Sequence, residues 1–314
     1  MRSLALVTLF ALAMVPSCRP DFGERESLVD RTRVLAVRID PPEAKPGETV
    51  TTSLLVASPD GPVAAPDTSW AFCATPKLLT ENGAVSRACL ANGVVPILAV
   101  DPVGGARGGV SAPLPATGCF DFGPETQSAE VRPRDPDITG GFFVPIRARL
   151  ASTAADPEPL TAFGFARISC NLGGAPADIA VQFRAEYKPN TSPTFFSVEA
   201  RIENGGAPAA LDALPRGARV VLRASWRPED AESYVLFDVK DQVIVTRRES
   251  MRVSWFTTAG SFEHDRSGRN EVEPESFTEN VWTAPDEARV SHLWFVLRDA
   301  RGGVAFTSLK TTTR

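Results

Sequence analysis

The chain is poor in the residues that most catalytic chemistry needs. Among 314 residues there are two histidines, two tyrosines and three methionines. A histidine base can come only from His264, in a polar stretch, or His292, inside an apolar one. Acid–base and nucleophilic mechanisms need such a base within hydrogen-bond reach of a nucleophile, and neither histidine has a convincing one. There is no Gly-x-Ser-x-Gly elbow, no His-Glu-x-x-His helix, no phosphate-binding glycine loop and no dinucleotide fingerprint, so no cofactor is expected. Also missing is a sustained apolar repeat of helical period. With 27 prolines and 23 glycines punctuating the chain, long helices, bundles and coiled coils are excluded. Nor is there a block of one charge sign. The net charge of -5 comes from interleaved acids and bases, which leaves no basic stripe for nucleic acid.

Short alternating runs separated by turn residues are abundant instead. In Arg33 to Ile39 the residues Leu35, Val37 and Ile39 share one face, and the Pro41-Pro42 and Pro46-Gly47 turns lead to a second run, Val50 to Ala57. Trp70 to Cys73, Phe142 to Leu150 and Phe163 to Cys170 read as further strands, with Pro145 pushing its strand to an edge or a bulge. A short strand is expected near Val94 to Val100, within the Gly/Pro-rich excursion from Pro76 to Gly140. Later, Arg219 to Trp226 and Met251 to Trp255 alternate cleanly. Tyr234 to Val239 and Gln242 to Thr246 flank a tight turn, and Val290 to Arg298 and Val304 to Thr312 make a closing hairpin. The two halves echo each other: Pro46-Gly47 is answered by Pro215-Arg216-Gly217 before a strand, and Ser69-Trp70 by Ser254-Trp255. Length suggests about two domains. The expectation is an all-β chain of two immunoglobulin-like sandwiches in tandem, residues 32–187 and 193–314.

At the amino end, Arg2, the apolar run Leu4 to Val15 and the sequence Val15-Pro16-Ser17-Cys18 form a unit. The run falls short of the roughly 20 residues a bilayer span requires, so it reads as a cleaved signal, residues 1–17. This unit resembles the lipobox of bacterial lipoprotein signal peptides. The resemblance implies an acylated Cys18, a tether over 18–31, a membrane partner through the lipid and a place in the cell envelope; Arg19 after the lipid site points to the outer membrane.

Four cysteines remain, Cys73, Cys89, Cys119 and Cys170, an even number in a disulfide-permissive compartment. Three pairings are possible. Cys73 with Cys89 and Cys119 with Cys170 is favoured, because the first pair encloses a short loop of turn residues, Glu81-Asn82-Gly83. Zinc is the rival, but no two cysteines stand in a Cys-x₂-Cys pair and both histidines are distant. The acids Asp135 and Asp137, Asp238 and Asp241, and Glu271, Glu273 and Glu275 offer oxygens for calcium without an EF-hand spacing, so no metal is assigned.

The stretch Trp282-Thr283-Ala284-Pro285, then an apolar strand, then Asp299-Ala300-Arg301-Gly302-Gly303, resembles the closing strands of bacterial immunoglobulin-like and PKD-like extracellular domains. It covers the last third of the chain. Together with the lipobox it is similar to surface lipoproteins of GC-rich, myxobacterial-type genomes, which implies a non-enzymatic structural, adhesive or protein-binding role. Trp255 and Trp294 sit at inward positions. Trp226, Trp282 and His264, with the polar stretch Ser261 to Ser276, are the candidate ligand-binding residues, since an exposed aromatic row can stack on a glycan. Two alternatives stand beside the leading one: a carbohydrate-binding protein, which requires Trp226 or Trp282 at the surface, and an enzyme, which requires His264 or His292 to meet a carboxylate in a pocket.

Overall fold

The computed structural model describes residues 25–64, 67–73, 75–78, 80–91, 94–96, 109–123, 140–152, 157–205 and 208–314. Cys18 and the lipobox, Asp135 and Asp137, and residues 97–100 of the expected short strand lie outside them. The described part of that strand is Val94–Pro96.

The protein is all-β, built as four sheets stacked face to face. The first sheet runs, in spatial order, Glu43–Ala44, Leu160–Ser169, Gly141–Leu150, Thr68–Cys73 and Val94–Pro96. The second holds Arg33–Asp40, Thr49–Ser58 and Gly61–Val63, with Ser111–Pro113 also paired to Thr49–Ser58. Between these two lies a core of aliphatic residues with Trp70 and Phe72. The third sheet is Arg266–Arg269, Met251–Thr257, Arg289–Arg298 and Val304–Thr313, and the fourth is Phe195–Ile202, Arg219–Trp226, Phe277–Thr283 and Ser261–Phe262. A second core, containing Trp226, Trp255 and Trp282, fills the space between them. With the separate hairpin Ser233–Asp238 and Val243–Arg248 left aside, strands one, two, six and four of the second sandwich form one sheet and strands five, three, seven and eight form the other, an immunoglobulin-like pair of antiparallel sheets. Trp70 and Trp255 are each turned into the core of their own sandwich. The echo between the halves extends to the backbone. Gly47 (φ 81°) and Gly217 (φ 62°) take the left-handed conformation that glycine tolerates, just before Thr49–Ser58 and Arg219–Trp226.

The inner sheets are buried on both faces. Leu54 and Val56 face the first core while Leu55 and Ala57 turn the other way, onto Phe256, Trp294, Val296 and Phe306 of the third sheet. Leu293 to Leu297 are each 0% exposed, the continuous apolar run expected of a strand covered on both sides. Trp294 therefore points away from the second core and fills the junction between sandwiches.

Four expectations need correction. Leu35 does not share a face with Val37 and Ile39: a β-bulge between Val34 and Ala36 turns Leu35 and Ala36 together into the junction. The presumed tether is ordered from Arg25 onward. Leu28 pairs with Thr257, the Val29 N–H donates to the Thr257 carbonyl at 2.8 Å, and the Val29 side chain is fully buried in the junction. A ten-residue helix, Ala177–Glu186, stands before the second sandwich and buries Phe183 against Val235 and Phe237 of the separate hairpin. Finally, the strand of Pro145 is neither an edge nor bulged but interior to its sheet; the proline is tolerated because the Thr68–Cys73 ladder runs only from Ile146 to Leu150 and leaves Pro145 paired on one side.

Candidate functional site

The most unusual chemistry lies at the junction. Glu43, which follows Pro41-Pro42 on a two-residue strand, is placed by parallel register beside Arg167. Its carboxylate is fully buried, forms an ion pair with Arg167 (Nε at 3.2 Å) and accepts from Ser169 Oγ (2.8 Å), the Tyr187 hydroxyl (2.7 Å) and the Asn190 N–H (2.9 Å). From the second sandwich comes Arg301, 4% exposed, in the turn of the closing hairpin. Its guanidinium donates to Glu249 Oε1 (2.6 Å), Glu232 Oε2 (2.7 Å) and the Lys188 carbonyl (2.9 Å), and lies 3.7 Å from Glu43. Asp299 shapes that turn by accepting from the Arg301 and Gly303 N–H groups, and Asn190 donates to both of its oxygens.

Four carboxylates thus surround two guanidiniums in a place shielded from water. Burial and the charge of Asp299 push Glu249 up to about 8, against the pull of Arg301. Burial also raises Asp299, and it raises the Tyr187 hydroxyl to about 12. A buried ion pair adds little net stability over an apolar replacement, but stripping one partner strands the other at a cost of about 3–5 kcal/mol. What such a network does is select one arrangement: residues 43, 167, 187–190, 232, 249, 299 and 301 satisfy one another only with the two sandwiches held as they are. No group in it is posed as a nucleophile.

The expected site residues are placed otherwise. Trp226 and Trp282 are 2% and 0% exposed, and Trp282 Nε1 donates to the Ala259 carbonyl at 3.1 Å. Both belong to the second core because their strand positions alternate inward, so neither offers a ring to a sugar. His264 is exposed, with its backbone held by the Asn280 side chain at 2.7 and 3.3 Å. His292 is half-buried, stacks on Trp294 and rests against Gly61, at a shallow depression that Asp60 and Glu287 also line. Among the described residues no hydrogen bond joins its ring to either acid, and burial lowers its pKa. The stretch Ser261 to Ser276 is partly sheet rather than loop, since Ser261–Phe262 and Arg266–Arg269 pair with neighbours. Its acids are dispersed. Glu273 and Glu275 lie near Arg269 and Glu271 near Arg247, while Asp238 caps the turn to Lys240 and Asp241. Among the described residues no three acids, histidines or cysteines gather as a metal site, and no helix is long and apolar enough to cross a membrane.

Both disulfides form as expected, Cys73–Cys89 and Cys119–Cys170, with Cα separations of 5.1 and 5.7 Å. They pin the short helices Arg87–Leu90 and Gly118–Phe122 to strands of the first sheet. The network around Glu43 and Arg301 was not foreseen. The one local signal was the Asp299-to-Gly303 turn, noted for its glycines and not for its charges.

No family model and no curated protein matches the chain. Solved structures with a related trace include the D00–D0 domain of intimin, at 10% identity and TM-score 0.25 over 89% of this chain and 100% of that one. A DUF4785 family protein from Legionella pneumophila matches at 8% and 0.22 over 88% and 55%, and the Yersinia pseudotuberculosis adhesin InvE at 9% and 0.22 over 89% and 58%. The chain spans just over half the length of the last two. Scores this low carry nothing on function.

Proposed function

We propose that this chain is a non-enzymatic, lipid-anchored envelope protein, attached through Cys18 at the outer membrane, whose two sandwiches act as one rigid structural or adhesive module that meets an envelope protein or glycan. The observation that supports it is the junction. A shared apolar layer of Val29, Leu35, Phe256 and Trp294, joined to the buried Glu43–Arg301 network, makes relative motion of the sandwiches costly. A display or scaffold element benefits from that stiffness, whereas a hinge-operated enzyme does not. The disulfides agree with an oxidising compartment. The carbohydrate reading loses its support with the burial of Trp226 and Trp282.

The test is metabolic labelling with palmitate in cells expressing the full chain. Label should enter the wild type and not Cys18→Ser, and the variant should leave the membrane fraction. Absence of label, with Cys18→Ser retained as firmly as the wild type, overturns the anchor. Crosslinking in intact cells should then capture an envelope component whose recovery survives Cys18→Ser only weakly.

A further inference from the structure

A cleft of about 450 Å³ opens beside the junction, where Arg33–Asp40 of the first sandwich meets Met251–Thr257 and Arg289–Arg298 of the second. Four guanidiniums line it, from Arg33, Arg252, Arg266 and Arg298, against two carboxylates, Glu26 and Asp265. Glu26 is taken by Arg266 at 2.7 Å, and Asp265 accepts the Ser27 N–H at 3.2 Å. Arg33 donates only to the carbonyls of Glu26 and Leu28 and lies over the Phe256 ring. Arg298, mostly buried, donates to Ser254 Oγ (3.3 Å) and the Leu35 carbonyl (3.2 Å). Among the described residues none of Arg33, Arg252 and Arg298 has a carboxylate within 4 Å, in contrast to Arg219, Arg223 and Arg301, each of which is paired.

A cluster of like charges without counter-ions is unfavourable, and more so when one member is withdrawn from water. Burial, then the charges of Arg266 and Arg252, pull Arg298 down to about 10. Guanidinium forks are the side chains best matched to planar or tetrahedral oxyanions, which they hold through paired N–H donors. Two positive charges remain after Glu26 and Asp265 are counted, the charge of a phosphate monoester. Leu35 and Phe256 add an apolar wall for whatever carries it.

We propose that this cleft is a binding site for a phosphate monoester, with Arg252 and Arg298 as its principal ligands and Arg33 and Arg266 completing the charge balance. The site does not depend on acylation of Cys18. It is tested with the full chain carrying Cys18→Ser, so that lipid attachment cannot mimic binding. Inorganic phosphate is titrated calorimetrically at constant ionic strength against sodium chloride. Saturable phosphate binding is expected, weakened about tenfold or more by Arg252→Gln, whose exposed side chain makes misfolding an unlikely confusion, and by Arg298→Gln. Arg247→Gln, outside the cleft, should bind as the wild type does. Heat no greater than that of chloride, or wild-type affinity in both cleft variants, overturns the site. A second arm sediments the same proteins with phosphatidic acid or phosphatidylcholine vesicles. Sedimentation with phosphatidic acid alone, lost in Arg252→Gln, supports the site with a lipid headgroup as its source. Phosphate binding without sedimentation supports it with a soluble ester as its source.

Discussion

The two sandwiches solve the same packing problem with different materials. The first fills its core with aliphatic side chains and a single tryptophan, and carries both disulfides; the second has no cysteine and is filled by Trp226, Trp255 and Trp282, all within 2% of full burial. A large aromatic side chain brings 150–250 Å² of surface out of water at one position. Crosslinks act instead on the unfolded chain, by removing loop conformations it would otherwise regain. Among the described residues between Cys73 and Gly140, Phe122 is the buried aromatic, and the two bridges tie the short helices there to the first sheet alongside buried Val110, Ala112 and Leu114.

Ways to break that contrast follow in order of expected effect. Reduction of both disulfides should destabilise the first sandwich by about 3–4 kcal/mol per bridge. Tryptophan emission should hold near its folded value, because four of the five tryptophans lie in the third and fourth sheets and only Trp70 in the first. Urea titration with and without reductant, read by emission and far-ultraviolet circular dichroism together, measures this. Coincident loss of both signals would mean that the sandwiches unfold as one. Trp282→Ala should cost about 3–5 kcal/mol, confined to the second sandwich and visible as a lower urea midpoint. Arg301→Met should cost about 3 kcal/mol by stranding Glu249 and Glu232, and should separate the unfolding of the two sandwiches into two transitions.

Acidity gives a subtler handle. Burial and Asp299 raise Glu249 to about 8 in the folded protein, above its ordinary 4.5. Its contribution is therefore complete below about pH 4.5 and is lost as pH climbs through 8. Thermal unfolding should fall from pH 6 to 9, and Glu249→Gln should flatten that slope. A slope unchanged in the variant would assign it elsewhere. The smallest effect concerns Gly61, whose φ of 124° and contact with the His292 ring leave no room for a methyl group. Gly61→Ala should cost about 1–2 kcal/mol in denaturant, with the tryptophan core of the second sandwich unaffected.

Much of the fold was legible because sandwiches announce themselves locally, through alternation and turn residues. The Lys240-Asp241 turn and the closing hairpin both stand where the pattern placed them. Period two says which residues share a face, but not how many faces are covered. Trp294 and Phe295 are both apolar, and only the third dimension shows that the first sandwich sits on the Trp294 side. A one-residue bulge was enough to move Leu35 across the sheet. The helix Ala177–Glu186 was missed because only Phe183 on it is buried, which leaves almost no amphipathic signal. The junction network was opaque for another reason. Glu43 and Arg301 stand 258 positions apart, and long-range charge pairing leaves no spacing to read.

The docking of residues 25–29 on the second sandwich works as a staple. The segment that leads into Arg33–Asp40 of the first sandwich is itself paired to Thr257 of the second, so the two bodies share a stretch of backbone as well as a packed layer, and a pull on the chain at Arg25 loads both at once.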